Sequence, residues 1–450
     1  MNREPKDDRT KGEAPSLNKR AGSLALNRRG FLSASAVAAA GALASGTPAG
    51  AESGKTASET GQVPASPGSQ AKAPHVAPNK NLGSERDQRI DPKTGIKVIQ
   101  LTSYPLPHAH FLYDWPSVTP DNQRVVFFGQ RYASREAPWD LFRCDTDGLG
   151  LIQLTKRTEE ASKDGYYGCP TAILALDGKT IYVVWNRVLC AVEVETGKTE
   201  DLLDLSKVCP EGGFNRAAFA SNGDLFLAHL SPVPGAARVI LSTGQVEWVE
   251  TQGHLMGCFQ KEPRLLVQRG EVLWGTAAGP DGTRIIVNQG EELGLWSTDE
   301  KGGDARFVCP AMFAHMTLLG RETVLQGCGK RPHTCIWLAE ENREPRKLVE
   351  GPYFWHSGAS YDGEWILADT NNPDEGLQLV HVPSARFKAL CFAEATQDHF
   401  HFGHPHPALS QDGRIGVFRS DRRHVPHIYV AHITEEFRES VKAGGAGKEG

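Results

Sequence analysis

A phrase that recurs along the chain after residue 90 limits the possible folds more than any other pattern in it. Each copy contains a small or aromatic residue, a turn such as Asp-Gly and two short apolar runs, and copies follow one another roughly every 40 to 50 residues. The copies begin at Trp115, Cys169, Phe214, Trp274, Phe313, Phe354 and Gly403. Most are followed by a third apolar run and usually a fourth. Four short antiparallel strands at this spacing are typical of a propeller blade, so the repeat predicts an all-β, seven-bladed β-propeller.

The ends of the repeat array predict how the ring closes. The seventh copy supplies three strands and then runs into EEFRESVKAGGAGKEG, which is too polar and too rich in glycine for a fourth. The segment GIKVIQLT, residues 95–102, resembles the fourth strand of the first copy but precedes that copy's first strand. We therefore expect the last blade to be closed by an N-terminal strand, which removes an open sheet edge.

The region before the propeller predicts export. Arg28 and Arg29 precede an Ala-rich stretch with a small-residue ending, and residues 1–51 resemble a twin-arginine signal peptide cleaved near Ala51. The alternative is a short amphipathic or core helix. The signal interpretation predicts the twin-arginine export machinery as a partner, a periplasmic or secreted location, and no membrane insertion after cleavage. Residues 52–85 are predicted to be a disordered linker, 86–436 the propeller domain and 437–450 a flexible tail.

Composition excludes one class of partner. The formal net charge is -5 and the pI is near 6.4, so the chain has no basic excess for nucleic acid. The nine cysteines lie far apart and form no CxxC pair. Most stand in apolar runs, which favours small buried hydrophobic residues over metal ligands or disulfide bonds.

Histidines gather at equivalent places in three consecutive copies. His315 and His356 precede or open the first strands of copies five and six, and His404 and His406 do so in copy seven, with His401 just before them. Side chains two apart in an extended strand point the same way, so His404 and His406 are expected to share a face. Neutral imidazoles placed in this way predict a divalent-metal site. The alternatives are a solvated His-rich loop and a stacked aromatic core.

The seven copies resemble the oligogalacturonate lyase family of polysaccharide lyases. The resemblance covers the chain after residue 90 and is carried by TGIKVIQLT, FAHMTL, HSGASYDGEW and, most specifically, HPHPALSQDGR. Family members bind manganese through three histidines and a glutamine, which implies His356, His404 and His406 as ligands here. The glutamine position falls on His401, unless Gln397 is its counterpart through a small insertion. With His401 as a ligand, zinc, nickel or cobalt becomes an alternative to manganese.

The resemblance also implies a reaction. It is β-elimination on uronic-acid oligosaccharides, as in pectin degradation, with His315 as the residue that removes the proton. An assisting arginine is expected, for which Arg131, Arg331 and Arg422 are candidates. The aromatic residues Trp355, Phe400 and Phe402 either stack on sugar rings or pack between blades. Two other functions remain open: a non-catalytic periplasmic propeller that binds a glycan or protein, and a lyase for a different uronate polymer such as ulvan. A propeller-containing serine peptidase is excluded because the chain has no GxSxG motif.

Overall fold

The computed structural model describes residues 80–111, 117–131, 138–156, 169–229, 233–259, 264–269, 272–275, 284–287, 294–309, 316–320, 323–326, 334–370, 373–397 and 403–444. Within these ranges the chain forms seven antiparallel sheets of four or five strands and one separate two-stranded hairpin. The first strands of most successive sheets lie against one another, as blades do around the axis of a propeller. The predicted all-β, seven-bladed propeller is confirmed.

Blades one to three follow the expected order. Three strands come before them: β1 (Lys80–Gly83), β2 (Asp87–Ile90) and β3 (Lys97–Gln100). Blade one consists of β4 (His108–His110), β5 (Arg124–Gly129), β6 (Asp140–Asp145) and β7 (Leu151–Gln153), with β1 added at its outer edge. Blade two consists of β8 (Thr171–Leu174), β9 (Thr180–Trp185), β10 (Val188–Glu193) and β11 (Thr199–Asp204), followed by a 3₁₀ turn at Leu205–Lys207. Blade three consists of β12 (Phe214–Phe219), β13 (Leu225–His229), β14 (Gly235–Ile240) and β15 (Gln245–Glu250).

Blade four corrects one prediction of the repeat. Its strands are β16 (His254–Cys258), β17 (Arg264–Arg269), β20 (Gly294–Asp299) and β21 (Arg306–Cys309). The copy expected to begin at Trp274 is instead a separate hairpin of β18 (Val272–Gly275) and β19 (Arg284–Val287), placed between the second and third strands. The prediction was wrong because any two apolar runs joined by an Asp-Gly turn produce the repeated phrase, whether or not the hairpin is a blade.

The remaining blades carry the predicted site histidines. Blade five consists of β22 (Met316–Leu319), β23 (Thr323–Gln326), β24 (Cys335–Ala339) and β25 (Arg346–Glu350). Blade six consists of β26 (Phe354–Ala359), β27 (Trp365–Thr370), β28 (Leu377–His381) and β29 (Arg386–Cys391). Blade seven contains β30 (Ala408–Leu409), β31 (Ile415–Ser420) and β32 (His427–His432), and the helix α1 (Glu435–Gly444) follows.

The N-terminal closing strand is confirmed. Strand β3 pairs with β32 in the register Val98↔Ala431 and Gln100↔Tyr429, and β2 pairs in turn with β3. Val98 and Ile99 are buried on opposite faces of this strand, in the clusters shared with blades six and one respectively. Burial of each such side chain contributes about 1.5 to 3 kcal/mol, so apolar packing as well as the backbone ladder stabilises the closure.

Two predicted boundaries also need correction. Part of the expected linker, Lys80–Gly83, is strand β1, held by its pairing with β7. Part of the expected tail is helix α1, which packs on β28 and β29 and buries Phe437 and Val441. The sequence is polar in both segments, but a single backbone ladder or two apolar side chains one helical turn apart are enough to attach them.

The apolar core lies between the blades, since each main cluster joins residues from neighbouring sheets. Eight cysteines lie in the described residues, and all are buried except the half-buried Cys169. This agrees with their prediction as hydrophobic residues. Cys328 lies outside the described residues. In the part of the chain that the structure describes, no helix is both long and apolar enough to span a membrane.

One face of the propeller collects several histidines. In an antiparallel blade the start of the first strand, the end of the second and the start of the third lie together. We call the face defined by these positions the entry face. It contains His108 of blade one, His356 of blade six and His427 of blade seven.

Candidate metal centre

Three histidines predicted as ligands come together on the entry face. Nitrogen atoms of His356, His404 and His406 all lie within 4.8 Å of one another. The ring centroids of His356 and His406 are 3.9 Å apart, and that of His404 is 5.5 Å from His356 and 5.7 Å from His406. His356 and His406 are each 1% exposed, whereas His404 is half-buried. We call these three residues the metal cluster.

Irregular backbone conformations set the directions of the three imidazole rings. Strand β26 has one extra residue relative to β27 between Phe354 and Ser357, and His356 lies in this bulge. Bulges of this kind redirect a side chain next to functional sites. His404 and His406 lie in the loop before β30 rather than in a strand, so the expected extended geometry was wrong. His406 has φ of 45°, a left-handed conformation that is costly for a residue with a Cβ.

A buried carboxylate connects the two blades of the metal cluster. Asp369, at the end of β27, accepts hydrogen bonds from the backbone N–H of His356 at 2.6 Å and from that of His406 at 3.2 Å. Its Oδ2 also lies 2.9 Å from Nδ1 of His356. With the carboxylate ionised, Nδ1 of His356 carries the proton and Nε2 is the nitrogen that can bind a cation. Burial raises the pKa of Asp369 to about 7, although its hydrogen bonds and the nearby His404 and Arg419 oppose the rise.

A buried arginine supports the loop that carries His404 and His406. Nε of Arg419 donates to the carbonyl of His404 at 2.9 Å, and its Nη2 donates to Nδ1 of His406. Burial lowers the pKa of Arg419 to about 10. A guanidinium can only donate, so Nδ1 of His406 accepts and the neutral ring carries its proton at Nε2. A cation bound at Nε2 of His406 would therefore require the ring proton to move to Nδ1 and Arg419 to give up that nitrogen as its acceptor.

His110 of blade one fixes the same loop from the other side. Its Nε2 lies 2.6 Å from the carbonyl oxygen of His406. Burial, reinforced by the charge of Arg419, lowers the pKa of His110 to about 3. The ring is therefore neutral and donates from Nε2. Blades one, six and seven thus all hold His406 in its strained conformation.

The residues present fit a divalent cation. Three imidazoles converge from two blades, and the carboxylate–histidine pair of Asp369 and His356 is the arrangement that commonly orients a ligating histidine. Two nitrogens that each bind one cation at about 2.1 Å are at most about 4.2 Å apart, so nitrogens within 4.8 Å of one another need a small shift of the rings to share it. Asp369, Arg419 and His110 were missed from the sequence. An acidic residue in the apolar run WILADT and an arginine in IGVFRS were the available signals.

Several other predicted site residues lie outside the described ranges. They are His315, His401 and Arg331, together with Phe400 and Phe402. Gln397 is described, and it donates its side-chain amide to the carbonyl of Thr370 at 2.7 Å, next to Asp369. The choice between His401 and Gln397 as a fourth ligand stays a prediction.

Trp355 and Arg422 each pack against an aromatic ring in the structure. Trp355 is buried and meets the ring of His404 edge-on, with centroids 6.3 Å apart. Arg422 lies over the ring of Tyr429, with Nη1 3.6 Å from Glu394. Arg131 follows β5 of blade one, and its Nη1 lies 3.0 Å from Oε1 of Glu85.

Solved structures, rather than sequences, relate this chain to known proteins. No family model matches the sequence, and no curated protein matches it significantly. An oligogalacturonate lyase in complex with manganese is 18% identical, with a TM-score of 0.62 over 81% of this chain and 100% of that one. An oligogalacturonate lyase from Vibrio parahaemolyticus is 15% identical, with a TM-score of 0.59 over 80% of this chain and 99% of that one. The chain has the propeller fold of these lyases, which agrees with the resemblance seen in the sequence.

Proposed function

We propose that this protein is a metal-dependent lyase that cleaves uronic-acid oligosaccharides by β-elimination and leaves a 4,5-unsaturated sugar. One observation carries the proposal. The metal cluster, supported by Asp369, lies on the entry face of a propeller whose fold is that of lyases, one of which was solved with manganese.

The cation supplies positive charge that binds a substrate carboxylate and acidifies the neighbouring C5 proton. The residues of the chain form the site for this cation. His356, His404 and His406 bring three imidazoles together, and Asp369 keeps the proton of His356 on Nδ1. Arg419 and His110 hold the loop of His406 by its imidazole and its carbonyl.

The base and the metal are proposed from the family resemblance. His315 removes the C5 proton, because an imidazole titrates near neutral pH and accepts a proton readily there. Manganese is the proposed cation, with zinc, nickel and cobalt as alternatives if His401 is a ligand. We further propose that residues 1–51 direct export to the periplasm through the twin-arginine machinery.

An activity assay tests the function. Purified protein is treated with chelator, reloaded with manganese, and incubated with di- and trigalacturonate, glucuronate-containing oligosaccharides and ulvan fragments. We expect metal-dependent growth of the ultraviolet absorbance of an unsaturated uronate with a galacturonate oligomer. Product from ulvan alone would support a lyase for that polymer instead. Silence on every uronate, with metal demonstrably bound, would overturn the proposal in favour of a binding propeller.

A further inference from the structure

A second polar cluster lies on the entry face, where the chain closes the ring. It contains Glu85, which precedes β2, together with His108 and Arg131 of blade one and His427 of blade seven. We call it the closure cluster. His108 is fully buried, with its ring 5.7 Å from that of His427, and the phenyl rings of Phe127 and Phe142 lie edge-on to it.

The guanidinium of Arg131 is held firmly at one end. Its Nη1 is 3.0 Å from Oε1 of Glu85. The other oxygen of Glu85 accepts the backbone N–H groups of Ser103 and Tyr104 at 2.7 and 2.9 Å. The guanidinium also lies 4.3 Å from the ring of Tyr104 and 4.8 Å from that of Phe142. Glu85 is therefore engaged by three donors, and Arg131 is fixed by both ion pairing and stacking.

The opposite edge of the same guanidinium is unused. Nε and Nη2 of Arg131 are buried and have no hydrogen-bond partner in the part of the chain that the structure describes, and the side chain is only 10% exposed. An unpaired buried donor is costly. These two N–H groups point the same way and form the fork that binds both oxygens of one carboxylate.

The position of Arg131 relates this fork to the metal cluster. His110 and His108 are two residues apart in β4, which is about 7 Å along a strand, and His110 contacts the carbonyl of His406. Tyr104, which is 37% exposed, covers the guanidinium from the solvent side. Burial, reinforced by the charge of Arg131, lowers the pKa of His108 well below its usual value. His108 is therefore neutral and does not compete for an anion.

We propose that Arg131 binds, through Nε and Nη2, the carboxylate of a second uronate unit of the substrate whose first carboxylate lies at the metal cluster. This rests on the proposed function and deepens it, because it makes the enzyme specific for chains with at least two neighbouring acidic sugars. Arg422 also has two buried nitrogens without a hydrogen bond in the described part of the chain, Nη1 and Nη2, but Nη1 lies 3.6 Å from Glu394, whose carboxylate would compete with that of a substrate.

The test compares two variants with a matched control. Arg131→Met removes the charge and the fork, and Arg131→Lys keeps the charge but loses the fork. We expect KM for trigalacturonate to rise at least about 10-fold in the first and less in the second, with kcat and manganese affinity unchanged. Calorimetric binding of trigalacturonate should weaken by the same factors. Arg143→Met is the control, because Arg143 is also in blade one and 10% exposed but is paired with Glu195 at 3.2 Å; its KM should not change.

The outcomes distinguish an error in the assignment of Arg131 from an error in the proposed function. An active wild type with the same KM in Arg131→Met and Arg131→Lys would overturn the assignment of Arg131 and leave the proposed function intact. A wild type that neither cleaves nor binds any uronate would overturn both. If Arg131→Met fails to fold, judged by circular dichroism and manganese binding, Arg131→Lys alone decides, and an unchanged KM in that variant refutes the proposal.

Discussion

The metal cluster and the closure cluster are both groups of histidines on the entry face, each with one carboxylate and one guanidinium beside it, but these charges are placed differently. In the metal cluster a carboxylate, Asp369, is bonded to His356. In the closure cluster the charge that most affects His108 is the cation of Arg131. A carboxylate orients an imidazole toward a cation, whereas a guanidinium disfavours any added positive charge. In the metal cluster the carboxylate of Asp369 is bonded to an imidazole, whereas in the closure cluster the carboxylate of Glu85 is paired with Arg131. This placement of the charges, rather than the number of imidazoles, distinguishes the cluster that suits a metal from the one that suits an anion.

The largest expected effect separates the two clusters by metal binding. His404→Ala and His406→Ala should each lower manganese affinity by more than about 100-fold, which exceeds the usual loss from a residue that only orients a ligand. His108→Gln should leave affinity unchanged, and so should His381→Ala, a buried blade-six histidine that contacts Ser384 at 2.8 Å. Calorimetric titration of manganese into metal-free protein measures the affinity of all four variants. An equal loss in His108→Gln would show that the clusters are not functionally distinct.

A smaller effect is expected from the carboxylate alone. Asp369→Asn keeps nearly the same shape but replaces one accepting oxygen by an NH₂ group. The amide therefore accepts less strongly than the carboxylate from Nδ1 of His356 and from the two backbone N–H groups. Manganese affinity should fall by about 10- to 100-fold in the same titration. At saturating manganese the affinity for trigalacturonate should be preserved, because the fork of Arg131 belongs to the closure cluster. An unchanged manganese affinity would mean that Asp369 does not orient His356.

The smallest effect concerns stability and pH. Burial lowers the pKa of His427 to about 4, with Arg423 and Arg131 acting in the same direction and Glu85 opposing it. Between this value and about 6.5 the unfolded chain binds a proton that the folded protein does not, so the free energy of unfolding rises with pH across that window. For one such group the rise between about pH 5.5 and 6.5 is about 1 kcal/mol.

Urea unfolding at several pH values measures this contribution. His427→Gln should reduce the rise by about 1 kcal/mol, with His108 and His110 accounting for part of what remains. His424→Gln, at an exposed histidine of the loop before β32, should leave the rise unchanged. Identical slopes in wild type and His427→Gln would show that the closure cluster does not exclude protons as its burial indicates.

The sequence predicted the ring closure and the three histidines well, because both depend on local patterns. Alternating apolar residues define strands wherever they occur, and HPHP stands out in any blade. Reliance on local patterns also caused the error at Trp274. The hairpin of β18 and β19 has the pattern of a blade, but it pairs with neither β17 nor β20 of blade four. Asp369 and the pairing of Arg131 could not be recognised, because their roles depend on partners such as His406 and Glu85 that are distant in sequence.

The way the ring closes has a consequence for how the protein is made. Thr102 and His427, whose side chains approach to 3.4 Å, are 325 positions apart. Contacts this remote in sequence form late in folding. During synthesis β3 leaves the ribosome long before β32 exists, so it must wait without its partner, and an unpaired strand edge is prone to aggregation. The closure cluster is therefore assembled only when the final blade is complete, and no partly synthesised chain can possess it.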